Sequence, residues 1–328
     1  MWFKNLQVYR LTKRFSFSAQ ELSDALAAQA FKPCSSQEPV GFGWIAPLPG
    51  GQDYVHSANG YLMLCAKRQE KILPAGVINE ALEEKVQLLE QKEARKLTRK
   101  ERQDLKEEIR FDLLPRAFSR SALVYAYIDP QAGLIVVNAS SMKRAEELLT
   151  ALREALGSLA VIPLTTKNIP LQSMTHWLLH AEPPAMFSFG SECELKDLGE
   201  EGGSIRCKQQ DLLSDEINSH LQAGMSVSKL ELNWQDRLSF ILDDNLGVKR
   251  LKFADLIQEQ ADNEQAEDAA QQFDVDFAIM TAELAGLLKD LTEALGGDDS
   301  AGYQQRLQEQ LAKANQNETR LPQGVEEL

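Results

Sequence analysis

The sequence predicts a multi-domain α+β chain with antiparallel sheets and one helical hairpin projecting from them. Three observations carry this reading. Short alternating apolar segments, bounded by turn residues, occupy both halves of the chain, as strands joined by hairpins do. Between them, Pro74 to Arg120 reads as helix, yet over 91–104 the only large apolar residue is Leu97, with Ala94 beside it. That same window holds Lys92, Arg95, Lys96, Arg99, Lys100 and Arg102 against Glu93, Glu101 and Asp104. A helical segment that cannot bury much of itself and is tipped with cations is suited to project and meet an anion.

Taken in order, residues 2–11 and 14–17 alternate as strands, and the N-terminus lacks the charged head and apolar block of a signal peptide. Ser18-Ala19-Gln20-Glu21 is a capping box opening a helix to about Ala30. Gly41 to Trp44 reads as a short edge strand and Tyr61 to Arg68 as a longer one. Val77, Ile78, Ala81, Leu82, Val86 and Leu89 then recur at helical spacing. A second capping box, Thr98-Arg99-Lys100-Glu101, restarts the helix until Pro115 stops it. Two cationic stripes are expected on these helices: Lys92, Arg95, Lys96 and Arg99, then Arg99, Arg102, Lys106 and Arg110.

Ala122 to Ile128 and Leu134 to Asn138 form a strand hairpin, Ser140 to Leu156 an amphipathic helix, and Leu159 to Leu164 a closing strand. Beyond Thr165, helices are expected over Leu171–His180 and Ser214–Leu221. Strands are expected at Phe187–Phe189, Gly203–Lys208, Val227–Trp234, Arg237–Asp243 and Val248–Phe253, and a last helix from about Asp274 to Leu295. The domains then run 1–73 with 118–165 (central), 74–117 (hairpin), 166–297 (base) and 298–328, an acidic tail too poor in apolar residues to fold.

The 328 residues allow two or three cores, and no apolar run is long enough to span a membrane. Four widely spaced cysteines, with no Cys-x-x-Cys pair, suit a reduced cytoplasm and neither a disulfide framework nor zinc. The net charge of −14 opposes nucleic acid as a total, but it is unevenly placed. Ala254 to Leu328 carries 17 Asp/Glu against 4 Lys/Arg, which leaves 31 Lys/Arg against 32 Asp/Glu in residues 1–253. Local patches decide such binding more than the total does.

Enzyme chemistry finds little support. Gly41-Phe42-Gly43 lacks the third glycine and the helix of a phosphate loop. His176 and His180 share a helix face without the glutamate of a metalloprotease motif. Asp274 and Asp276, with Asp243 and Asp244, offer carboxylates for a metal-dependent nuclease; placement at a helix N-terminus is the plainer explanation of the first two. No cofactor is expected. A scaffold whose hairpin grips an acidic partner helix is the third class. Further basic groups recur at Lys67-Arg68, Lys143-Arg144 and Lys249-Arg250 with Lys252, while Arg116 and Arg120 flank Phe118 and point to an interface there.

Several longer segments carry a family resemblance. Trp2 to Leu6, Glu70 to Pro74, Leu113 to Arg120, Gly203 to Arg206 with Gln210 to Leu212, Lys249 to Phe253, and Phe273 to Phe277 with Met280 to Ala285 resemble the RdgC family across residues 1–297. The resemblance implies a horseshoe-shaped subunit that pairs into a ring-shaped homodimer around duplex DNA. It implies DNA binding without marked sequence preference and antagonism of RecA-promoted strand exchange, hence a cytoplasmic, nucleoid-associated protein and no enzyme. Phe118 would help close the ring, and Gln209 with Gln210 would form the second joint. The sequence departs from the family at Gln209, which stands where the family carries lysine.

Overall fold

The computed structural model describes residues 1–199, 202–263, 266, 268–307 and 309. The N-terminal segment first runs beside a strand at the far end of the chain: Leu6 and Val248 exchange backbone hydrogen bonds of 2.8 and 3.1 Å. It then enters the first sheet as β1 (Gln7–Leu11). Residues 14–17, expected as strand, pair with nothing; Phe15 and Phe17 instead fold their rings toward the core from a loop. The Ser18 capping box forms as expected, with Glu21 N donating to Ser18 Oγ at 3.2 Å and Ser18 N to Glu21 Oε2 at 2.8 Å. It opens α1 (Ala19–Ala27).

Next come β2 (Val40–Ile45), β3 (Val55–Ala58) and β4 (Tyr61–Ile72). Gly43 lies so close to the chain at Phe31 that a Cβ there would sit 2.4 Å from the Phe31 Cα. The hairpin helices are α2 (Ala75–Glu93) and α3 (Arg99–Leu113), followed by a 3-10 turn over Leu114–Arg116. The return strand β5 (Phe118–Asp129) begins four residues earlier than expected and pairs with β4 over eleven consecutive positions, from Leu62↔Ile128 to Ile72↔Phe118. Then follow β6 (Leu134–Val137), α4 (Met142–Leu156) and β7 (Val161–Pro163). These strands make one antiparallel sheet ordered β2-β4-β5-β6-β1-β7, with β3 pairing β4 beside β2.

The second half supplies α5 (Pro170–Leu179), β8 (Phe187–Lys196), β9 (Ser204–Cys207), α6 (Asp215–Gln222), β10 (Ser226–Trp234), β11 (Leu238–Asp243) and β12 (Val248–Phe253). Its antiparallel sheet is ordered β12-β11-β10-β8-β9. A helix not anticipated, α7 (Asp255–Asn263), precedes α8 (Ala269–Ala294). Asp268 caps α8, so Asp274 and Asp276 lie in its second and third turns, beyond the reach of its N-terminal dipole. The tail expected to be unfolded is helical over 300–307; residues 310–328 lie outside the described residues.

Two cores hold the layers. One face of the first sheet packs Leu64, Ala66, Val124 and Ile135 against Leu22 and Leu26 of α1 and Leu148, Leu149 and Leu152 of α4. Its other face presents Met63, Tyr127 and Val136 to Phe277, Met280 and Leu284 of α8, in a core shared with the second sheet. The hairpin keeps a small core of its own, Ile78, Val86, Leu105 and Ile109. Val77, counted in the apolar stripe, is 46% exposed and faces outward.

Candidate nucleic-acid interface

Where β4 and β5 leave the first core, their side chains alternate between the two faces of a ribbon. Arg68 and Glu70 of β4 therefore share a face with Ala122 and Arg120, their register partners on β5. Lys67, next to Arg68 in sequence, points the other way and lies over the Phe31 ring at 4.8 Å. The Lys67-Arg68 pair is thus divided by the strand that carries it.

The Arg68 face forms one wall of a cleft of about 350 Å³. Lys4 and Asn5 add a second wall, held by Asn138, whose side-chain oxygen accepts from both backbone amides at 3.1 Å. Ser140 and Arg144, at the start of α4, add the third. The N-cap of α4, Ser141, makes no side-chain cap, and Lys143 stands exposed beside it. Four cations thus line the cleft (Lys4, Arg68, Arg120 and Arg144), with Glu70 as its one lining carboxylate among the described residues. The Arg68 guanidinium bonds Glu70 and, through Nε at 3.1 Å, Glu147. Burial works against its charge, and the two carboxylates outweigh that, so its pKa rises. Glu70 is held below its ordinary value first by the Arg68 hydrogen bond and charge, with smaller help from Arg144 and Arg120.

The hairpin tip differs from the expected pair of stripes. The first helix stops at Glu93 because Ala94 takes a left-handed conformation (φ 52°). Arg95 and Lys96 lie in the turn and Arg99 belongs to α3, so the first stripe does not form. The second keeps Arg99, Arg102, Lys106 and Arg110 on one helix. Thr98 caps α3 as anticipated, Glu101 N donating to its Oγ1 at 3.3 Å. Glu101 also accepts two bonds from Arg95, at 2.7 and 3.0 Å. The Arg95 bond first, then Thr98, bring Glu101 down to about 2. Lys96 pairs with Glu90 at 2.9 Å and Arg102 with Glu83 at 3.3 Å. Lys92, Arg99 and Lys100 make no ion pair among the described residues.

On β12, Lys249 bonds Asp243 and Arg250 bonds Glu192, each at 2.8 Å, whereas Lys252 is exposed. Arg116 is exposed on the 3-10 turn. Phe118 is 86% exposed at the mouth of the ribbon, opposite Ile72, itself 47% exposed. Gln209, with φ 52°, and Gln210 lie exposed in the bend after β9. What sequence reasoning missed in the cleft was Lys4, because nothing local shows that Asn138 will lay the N-terminus there.

Over residues 1–298 the chain matches the family model described as "Putative exonuclease, RdgC". It belongs to the RdgC family. The recombination-associated protein RdgC of Aeromonas hydrophila is 48% identical over 302 residues, covering 92% of this chain and 100% of that protein. The namesake from Pseudomonas putida is 47% identical over 301 residues, covering 91% of this chain and 98% of its own length. That from Yersinia pestis is 48% identical over 299 residues, covering 91% and 99%.

Within this RdgC-family chain the carboxylates considered for a nuclease are each engaged separately. Asp243 is buried, accepts from the amides of Asn245 and Gly247 at 3.0 and 2.8 Å, and so ties the turn that leads into β12. Asp274 meets the His56 ring at 2.6 Å, and Asp276 holds the Met1 ammonium. No group of three or more His, Cys, Asp or Glu among the described residues is arranged to hold a metal ion. His176 of α5 and His180, its C-cap, are exposed neighbours, their ring centroids 4.4 Å apart and the rings tilted by 57°.

Proposed function

We propose that this chain binds duplex DNA through its phosphates, without base readout, and closes as a ring-shaped homodimer that restrains RecA-promoted strand exchange by occupying the DNA. The observation that carries the reading is the cleft of Lys4, Arg68, Arg120 and Arg144 with Glu70 alone among them. The curated relatives' recombination-associated names agree with it. Phosphate contacts position a protein and carry no sequence information, so several spaced cations suffice.

Lys92, Arg99, Lys100, Arg116, Lys143 and Lys252, which make no ion pair among the described residues, join the proposed set of phosphate-binding cations. Arg95, Lys96, Arg102, Lys249 and Arg250 begin from carboxylate partners. Pairs exposed on both sides, such as Arg102 with Glu83 and Arg95 with Glu101, are worth roughly 0–1 kcal/mol, so exchanging a carboxylate for a phosphate costs little there; Lys249, held by the buried Asp243, is released least readily. Lys67, on the other ribbon face, contributes least. Residues 74–117 serve as the finger, 1–73 with 118–165 as the central domain and 166–297 as the base. Phe118 with Ile72 closes one joint, and Gln209 with Gln210 the other. A ring turns weak, diffuse attraction into long residence, because release requires opening or sliding off an end. Its place is the cytoplasm, on the nucleoid.

Binding measured by anisotropy across a salt series tests this. Each phosphate contact contributes a slope of about −0.9 in log K against log salt. Replacing Arg120 and Arg144 together by alanine is expected to reduce the magnitude of the slope by about 2. Absence of duplex binding at low salt would sink the proposal. The family description keeps a nuclease as the second reading; plasmid DNA with Mg²⁺ separates them, since DNA that is shifted but uncut rejects it.

A further inference from the structure

The loop after β1 reads Lys13-Arg14-Phe15-Ser16-Phe17. It forms a second cleft, about 420 Å³, on the side of the first sheet that carries α4. Residues 11 and 13–17 make one wall; Arg153, at the end of α4, and 157–160 make the other. The volume falls within the roughly 300–1,000 Å³ of small-ligand clefts.

Three features set this cleft apart from the one described above. No carboxylate lines it among the described residues. Among the described residues Lys13, Arg14 and Arg153 make no ion pair. The Phe15 and Phe17 rings lie 5.6 Å apart, tilted by 48°, and both are half-buried, so each is held by the core while still lining the cleft. Core packing accounts for the inner sides of the rings, and the negative end of α4 accounts for Arg153. That end carries about half an elementary charge, which leaves the two exposed cations Lys13 and Arg14 uncompensated. Packing does not require them beside aromatic rings.

We propose that this cleft takes one nucleotide of a single strand, its base against the Phe15 and Phe17 rings and its phosphate among Lys13, Arg14 and Arg153. Aromatic stacking with cation contacts is how unpaired nucleic acid is held without regard to sequence. A duplex cannot use the site, since its bases are stacked on each other. The inference is independent of the duplex reading, because it uses none of the same residues.

The test is binding of a short oligothymidine carrying 2-aminopurine, whose fluorescence falls on stacking, to the full chain. Phe15→Leu and Phe17→Leu keep the apolar volume and should weaken binding about ten-fold and abolish the quenching, with duplex affinity unchanged. Lys13→Ala with Arg14→Ala, at exposed positions that leave the fold intact, should weaken binding while quenching at saturation persists. Thymidine monophosphate identifies the source: if its binding shows the same losses, the ligand is a free nucleotide and the chemistry of the site stands. Oligothymidine bound as tightly by the leucine and alanine variants as by the unaltered chain overturns the proposal. So does a loss that affects duplex and single strand equally.

Discussion

Phe118 is the residue at which exposure and function are most at odds. A phenylalanine 86% exposed at the start of a strand gains almost nothing from folding. Phe118→Ser is therefore expected to leave the thermal midpoint of the subunit unchanged while loosening the proposed dimer. An unaltered sedimentation profile at low concentration would count against its role in closing the ring. Glu101 behaves in the opposite way, being tied into the fold by its local bonds. Its folded pKa of about 2 lies below the ordinary 4.5. The stability it contributes is full above the ordinary value and is lost as pH falls from there through the folded value. An NMR titration of the Glu101 carboxyl checks this; a midpoint near 4.5 would show that the Arg95 and Thr98 bonds do not persist in solution. Residue-scale legibility was mixed: the exposure of Phe118 could be read from its setting between Arg116 and Arg120 after a proline. The partners of Asp274 and Asp276 could not, because His56 and Met1 are more than two hundred residues away in sequence.

At the scale of elements, the clearest sequence signals were the two capping boxes. Both formed because a Ser or Thr and a Glu three residues on satisfy each other's orphan amides without help from the rest of the fold. Thr98→Ala is expected to cost the hairpin about 1 kcal/mol, seen as faster amide exchange in the first turn of α3 and not in β5. The stripe Lys92 to Arg99 failed as a reading because helical spacing was carried through Ala94, where the backbone turns left-handed. Edge elements were illegible for a related reason. Residues 14–17 alternate like a strand, yet β1, which they follow, is already paired on both sides, by β6 and β7, and offers them no free side. Gly43 was legible only as part of a short edge strand, whereas its real constraint is proximity. Gly43→Ala must push β2 away from Phe31, and a loss of about 1–3 kcal/mol is expected in denaturant unfolding.

For the whole molecule, the antiparallel α+β architecture followed from strand alternation and turn chemistry, which are local. How the halves are joined did not, because the joint is made by the first six residues lying against β12 and by α8 lying against the first sheet. The proposed ring adds a prediction at this scale. Retention on a closed circular duplex should outlast retention on a short linear one of the same sequence, and dissociation rates measured after a salt jump compare them directly. Equal rates would mean that residence owes nothing to topology.

The ribbon of β4 and β5 runs eleven register pairs without a bulge, from the middle of the first sheet to the foot of the hairpin, whereas β10 shifts register twice against β8. On its other side β4 is paired by β2 from Cys65 to Glu70, so Arg68 and Arg120 sit on three joined strands, and only the last pairs, Lys71↔Ser119 and Ile72↔Phe118, stand as a two-stranded neck. Such a neck resists stretching through its hydrogen bonds but yields more readily in twist. A sideways load on the hairpin should therefore turn the neck at Phe118 before it moves the cations held in the sheet below.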